Sequence, residues 1–136
     1  MIENSSKGKS VIIGLGKTGL SVAKYLASKN IAFKILDTRI KPPKYKELRS
    51  LFPDIEIETG ELNRKSVLEA KELIVSPGIT IKTPVITEAI NRGIPITGDI
   101  DIFSKSVTSP IVAVTGSNGK STVVAILAKI LEKAGK

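Results

Sequence analysis

Cysteine, histidine and tryptophan are absent from the 136 residues, and there is one methionine. Without cysteine there is no disulfide framework, no thiol nucleophile and no thiolate ligand for zinc or an iron–sulfur cluster. Without histidine the usual general base near neutral pH and the commonest metal ligand are also gone. Chemistry is left to carboxylates, lysines, hydroxyls and backbone amides, and a bound metal would be a hard, oxygen-liking ion such as magnesium. Aromatics are only 4% of the chain, too few for a base-stacking platform on single strands. No apolar run reaches the roughly 18 residues of a membrane span. The polar opening MIENSSKGKS is unlike a secretory signal, so the Asn4-Ser5-Ser6 sequon reads as chance. These absences describe a cytoplasmic protein with no membrane partner.

What is present is an ordinary globular composition, 41% apolar and 25% charged, with a net charge of +8. The positive excess favours an anionic partner. The basic residues are scattered rather than striped along one helix, which argues against nucleic acid and leaves phosphate-bearing small molecules. Lys41, Lys44, Lys46 and Arg49 read as a solvated loop and helix face.

Strand-like and helix-like patterns alternate along the chain. Ser10–Gly14, Phe33–Asp37, Ile55–Glu58, Leu73–Ser76 and the proline-bearing Ile94–Thr97 read as strands. Thr18–Asn30 and Thr83–Arg92 read as helices, the latter with Pro84 in its first turn and Gly93 past its end. The pattern restarts after Gly98. Ile111–Thr115 is the most strand-like run of all, and a helix is predicted over Ser121–Ala134. Such alternation implies an α/β fold, a Rossmann-like parallel sheet with right-handed crossovers. The expected division is a first domain over 1–98 and, over 99–136, the opening strand, loop and helix of a second domain. One strand and one helix cannot bury both faces of a sheet.

Two glycine loops carry the chemistry. Gly14-Leu15-Gly16-Lys17-Thr18-Gly19 is a G-x-G-x-x-G between a strand and a helix, where backbone N–H groups approach a diphosphate at the positive helix end. The acid expected about 20 residues on is Asp37, at the end of the second strand. A free Asp37 carboxylate would accept hydrogen bonds from a ribose or a base, while Arg39 would serve an anionic group or simply pair with Asp37. The second loop, Thr115-Gly116-Ser117-Asn118-Gly119-Lys120-Ser121-Thr122, is a shortened phosphate-binding loop. Its amides would wrap phosphates, Lys120 would reach the β and γ oxygens, and Ser121 would ligate Mg2+. A dehydrogenase has no use for that lysine, and a P-loop ATPase has no need of the first loop. The pair suggests one site for a nucleotide-linked substrate and another for ATP.

These residues resemble the ATP-dependent Mur ligases of peptidoglycan synthesis, and among them the branch that adds D-glutamate. The resemblance rests on Val11–Gly16 with Thr18–Ser21, Asp37-Thr38-Arg39, Thr59-Gly60 with Leu62-Asn63, Ser76-Pro77-Gly78-Ile79, Gly98-Asp99-Ile100 and Pro110–Thr122. It implies that the UDP of the substrate is held near Gly14, Gly16, Lys17, Thr18 and Gly19, by Asp37, Thr38 and Arg39, and by the Ser76-Pro77-Gly78 turn. It implies ATP and magnesium at Gly116, Ser117, Asn118, Gly119, Lys120, Ser121 and Thr122, with Lys120 catalytic and Ser121 a metal ligand. The implied reaction phosphorylates the alanyl carboxylate of UDP-N-acetylmuramoyl-L-alanine, and the amine of D-glutamate then attacks the acyl phosphate. Further elements of that family are not in these residues, so the chain reads as an N-terminal fragment inactive by itself. Two other readings remain: an NAD(P)-binding oxidoreductase domain, which leaves Lys120 unexplained, and a basic nucleic-acid-binding module.

Overall fold

A computed structural model describes residues 8–136, and the Asn4-Ser5-Ser6 sequon lies outside them. The chain forms two compact units, the first ending at Lys105 and the second spanning Ser106–Lys136. In the first, β1 (Ser10–Ile13), β2 (Phe33–Asp37), β3 (Ile57–Thr59), β4 (Glu72–Val75) and β5 (Ile96–Thr97) make one sheet in the order β3-β2-β1-β4-β5. Every pairing is parallel, with Ile12 opposite both Ile35 and Ile74. The connecting helices are α1 (Lys17–Ser28), α2 (Tyr45–Leu51), α3 (Arg64–Leu68) and α4 (Pro84–Asn91).

The unbroken β-branched runs follow from burial on both faces of the sheet. On one face Ile12, Phe33, Ile35 and Ile74 pack with Leu20, Ala23 and Leu26 of α1 and with Leu48 of α2. On the other, Val11, Ile13, Leu36, Leu73 and Val75 meet Val67 of α3 and Ile86 and Ala89 of α4. Neighbours one residue apart along a strand thus serve opposite cores. Since β1 pairs with β2 on one side and β4 on the other, the order in which strands are added to the sheet reverses between β1 and β4. In open α/β sheets a crevice forms at the carboxyl ends of strands beside such a switch.

Three helices escape the periodicity reading, all eight residues or shorter. Two carry local signals. The Asn63 side chain caps α3 by accepting from the Ser66 amide at 3.1 Å. Helix α5 (Asp99–Ser106) has acids in its first turn and Lys105 in its last, and Asp101 accepts from the Gly98 amide at 3.0 Å. Ile102 of α5 packs against the core of the first unit, which therefore runs past the boundary expected at Gly98.

The second unit corrects one expectation. Ile111–Thr115 forms no strand, and Ile111 and Val112 are exposed. The sequence preference is real, but a strand exists only when neighbours pair its N–H and C=O groups. No partner strand for it occurs among the described residues of this unit. The helix does form, as α6 (Lys120–Lys133), yet its apolar side chains Val123, Val124, Ile126 and Ile130 are exposed for the same reason. Among the described residues no helix is long and apolar enough to cross a membrane.

One contact fixes α1 against β1. A Cβ built on Gly19 would lie 1.9 Å from the Gly14 carbonyl oxygen, so only glycine allows this approach. Gly19→Ala should be destabilising although alanine gains about 1 kcal/mol of helix propensity. Overpacking against backbone costs about 1–3 kcal/mol or more, and each net kcal/mol lowers Tm by about 4–8 °C in a domain this size. Thermal unfolding followed by circular dichroism should show the fall; an unchanged or higher Tm would contradict the contact.

Candidate functional site

Three segments leave the carboxyl edge of the sheet at the switch point. After β1 the chain turns through Gly14, whose φ of +101° suits glycine and whose amide donates to the Leu36 carbonyl at 2.8 Å. Any side chain there would also meet Ser76, whose Cβ and Oγ lie 3.0 Å from an ideal Gly14 Cβ. After β4, the Ser76 amide donates to Ile13 O at 3.0 Å, and the Ser76 hydroxyl donates to the Gly14 carbonyl at 3.2 Å. The Ile79 amide closes the Ser76–Ile79 turn on the Ser76 carbonyl at 2.9 Å. After β2 come Thr38 and Arg39.

Together these segments enclose a cavity of about 380 Å³. Gly14, Gly16, Lys17 and Thr18 line one side, Ser76, Pro77 and Gly78 another, and Thr38 and Arg39 a third. Helix α1 begins here with Gly16 as its N-cap, no side-chain capping bond and no acid in its first turn. Its first amides carry the partial positive charge of a helix start and have no intrahelical acceptor. Lys17 adds a full charge, with no ion-pair partner among the described residues. The arrangement suits a diphosphate.

Two predicted site residues do not line this cavity. Gly19 is buried, and its lack of a side chain serves the packing of α1 on β1. Asp37 is buried to 1% exposure, and its carboxylate is fully engaged. Oδ2 accepts from the Leu15 amide at 2.6 Å and from Arg39 Nη2 at 2.6 Å. Oδ1 accepts from the Arg39 amide at 2.8 Å and from Arg39 Nε at 2.9 Å. The carboxylate is therefore not free for a ribose, and Arg39 pairs with it. Ile79, part of the Ser76-Pro77-Gly78-Ile79 motif but not among the expected site residues, also lines the cavity and supplies an apolar wall.

A second cavity of about 680 Å³ adjoins the first through Thr38. Its floor includes Leu62, Pro84 and Val85, and its wall holds the Arg64–Glu88 pair, with Arg64 Nε 2.9 Å from Glu88 Oε2. A third, of about 480 Å³ and mostly apolar, lies by Phe33, Phe52 and Ile31 at the amino end of β2. That end of a parallel sheet lacks the converging loops and helix N-termini of the carboxyl edge.

In the second unit Gly119 precedes α6, and the Lys120 ammonium donates to the Gly116 carbonyl. Ser117, Asn118, Ser121 and Thr122 are exposed around it. Helix α6 also starts without a side-chain cap or a first-turn acid, so its leading amides are open to an anion. Among the described residues no group of three or more acids is placed to hold a metal.

The profile of the Mur ligase MurD-like N-terminal domain matches residues 8–98. The chain belongs to that family. The UDP-N-acetylmuramoylalanine–D-glutamate ligase of Pseudomonas putida is 44% identical over 126 residues, which are 93% of this chain and 28% of that protein. The ligase of the same name from Coxiella burnetii is 42% identical over 132 residues, 97% of this chain and 30% of that one. The chain thus spans under a third of the length of these curated relatives. A solved pseudomurein peptide ligase type C from Methanothermus fervidus aligns with a TM-score of 0.59 at 26% identity, over 94% of this chain and 27% of that one. The MurD-like match contains all three segments that build the switch-point cavity.

Within this MurD-like domain Asp37 also links stability to pH. Burial raises its carboxyl pKa, but bonds from the Arg39 side chain, the Leu15 amide and the Arg39 amide outweigh burial and hold it below its ordinary value. A depressed folded pKa means stabilisation that is complete above about pH 4 and lost as pH falls through the folded value. The Tm should hold between about pH 7 and 5 and drop below about pH 4. Asp37→Asn should flatten part of that acid-side drop; identical acid slopes for both proteins would show that the carboxylate does not carry it.

Proposed function

We propose that the chain supplies the substrate-nucleotide site, and the beginning of the ATP site, of a ligase that joins D-glutamate to UDP-N-acetylmuramoyl-L-alanine. The observation that carries this reading is the switch-point cavity, where a glycine loop, an uncapped helix start and Lys17 converge within a MurD-like domain. The names of the relatives supply the substrate and the amino acid. Lys17 and the first amides of α1 would take the diphosphate. Thr38, Arg39 and the Ser76–Ile79 turn would take the nucleoside.

The second loop fits ATP and magnesium. Its glycines leave the backbone unobstructed, the leading amides of α6 face outward, and Lys120 already bridges the loop. Magnesium typically uses one or two protein ligands and completes its shell with phosphate oxygens and water. The Ser121 hydroxyl suffices as the contribution of this segment. Bound ATP would supply the phosphoryl group that activates the substrate carboxylate for the amine of D-glutamate. The role of Lys120 would be electrostatic: its ammonium offsets the negative charge that builds on the β and γ oxygens. No step here needs a histidine or a thiol, in keeping with the composition.

Two other readings have less support. A dinucleotide oxidoreductase needs an acid free for the ribose, and Asp37 is engaged. A nucleic-acid module draws no support from Lys9, Lys24, Lys34, Lys44, Arg64 and Arg92, which sit in ion pairs with glutamates.

In the enzyme spanning the full length of its relatives, Lys120→Ala should lower turnover by about a hundred- to a thousandfold. Binding of UDP-N-acetylmuramoyl-L-alanine should be unchanged, since it uses the other loop. The 136-residue chain should bind that substrate in titration calorimetry in preference to NAD or NADP and should form no amide product. Near-normal turnover of the Lys120→Ala enzyme, or equal binding of NAD, would overturn the reading.

A further inference from the structure

The second glycine loop holds a pair of residues with a chemistry of their own. The chain has five asparagines, and only Asn118 is followed by glycine. An asparagine is converted when the backbone nitrogen of the next residue attacks its side-chain carbonyl carbon. The new C–N bond closes a five-membered succinimide, and the side-chain nitrogen leaves as ammonia. Water then opens the ring at either carbonyl, giving aspartate or isoaspartate, with no oxidant or cofactor involved. A side chain on the attacking residue obstructs this approach, and glycine has none.

The loop meets each requirement. Asn118 is exposed, and its side chain has no hydrogen-bond partner among the described residues. The Gly119 amide, which is the attacking group, donates to no acceptor among them. Gly119 has a φ of +78°, and an ideal Cβ built on it would meet nothing within 4 Å, so the backbone has room to turn. Attack requires the amide nitrogen to give up its proton, and positive surroundings favour the resulting anion. Gly119 caps the start of α6, and the Lys120 ammonium is drawn onto the same loop by the Gly116 carbonyl. The other described asparagines lack this setting. Asn30 precedes the β-branched Ile31, and Asn91 ends α4 ahead of Arg92. The side chain of Asn63 is engaged as the cap of α3.

We propose that Asn118 is a self-modification site, whose conversion to aspartate or isoaspartate turns the loop from an anion receptor into an anion-repelling one. The conversion stands on the loop's own geometry, while its consequence rests on the ATP reading of that loop. The new carboxylate lies one residue before the N-cap of α6 and two before Lys120. It competes with phosphate for the leading amides of the helix and for the same ammonium. Isoaspartate also adds a methylene to the backbone, which shifts the loop relative to the helix. Bound ATP acts in the opposite direction: phosphates wrapped by the loop engage its amides and hold the Gly119 nitrogen away from the Asn118 side chain.

The test is incubation of the 136-residue chain for days at neutral and at mildly alkaline pH, followed by digestion and mass spectrometry of the peptides. Asn118 should convert to the acid, faster at the higher pH because the attacking nitrogen must lose its proton, while Asn30, Asn63 and Asn91 persist. Asn118→Gln, which would have to close a six-membered ring, should stay intact at that position. Survival of Asn118 for as long as the other three would overturn the proposal, as would conversion that does not quicken with pH. In the enzyme spanning the full length of its relatives, ATP with magnesium should slow the conversion. Asn118→Asp should weaken ATP by at least about tenfold, since like charges brought together cost several kcal/mol, and should leave binding of the UDP-linked substrate unchanged. Conversion with undiminished ATP affinity would overturn the consequence alone. Failure of the unconverted enzyme to bind ATP would overturn the ATP reading together with that consequence, and the peptide masses would still decide the conversion.

Discussion

The geometry of the site depends on the approach of helix α1 to the end of β1, where Gly19 rests against the Gly14 carbonyl. This contact leaves no room for a side chain at Gly19, and Ser76 together with a positive φ does the same at Gly14. It points the helix start, with its unpaired amides, at the place where β1 and β4 diverge. Were α1 displaced outward by a side chain, Lys17 and Thr18 would move with it, and the loop would no longer face the Ser76–Ile79 turn. The two cores act to the same end, since α1 is held by Leu20, Ala23 and Leu26 on one face while the other face is sealed by α3 and α4.

The Asp37 carboxylate is a second tie across the same edge. It joins the Leu15 amide of the first glycine loop to the Arg39 fork just after β2. A buried acid with four donors is stabilising only while it stays ionised and fully bonded. The residues that shape the cavity and the residues that hold it are consequently distinct. Lys17, Thr18, Thr38, Arg39 and the Ser76 turn face the ligand space, and Gly19 and Asp37 stand behind them.

Much of this was legible in the sequence because local pattern and global fold agree. Phe33–Asp37 is mostly apolar, bounded and packed into the cores on both faces, and its strand limits match the expectation residue for residue. The loop after β1 announced itself by glycine spacing between a strand and a helix. Other features depend on partners that local pattern does not carry. Ile111–Thr115 has every strand propensity, yet strand formation is a property of neighbours. The burial of Asp37 was open in the sequence, where Arg39 two residues on served equally as its partner or as an anion's. Only the geometry distinguishes the two. Helices α2, α3 and α5 were missed because short helices draw their stability from tertiary packing, as Ile102 does against the first core.

The central claim is that a nucleoside diphosphate lodges where β1, β2 and β4 open at the carboxyl edge of the sheet. Amide chemical shifts measured while the isotope-labelled chain is titrated with UDP-N-acetylmuramoyl-L-alanine test it most directly. The account predicts saturable shifts at Gly14–Thr18, Thr38, Arg39 and Ser76–Ile79, with residues around Phe33 and Phe52 at the far end of β2 unmoved. Shifts centred on that far apolar cavity, or none at the switch point at saturating ligand, would contradict it.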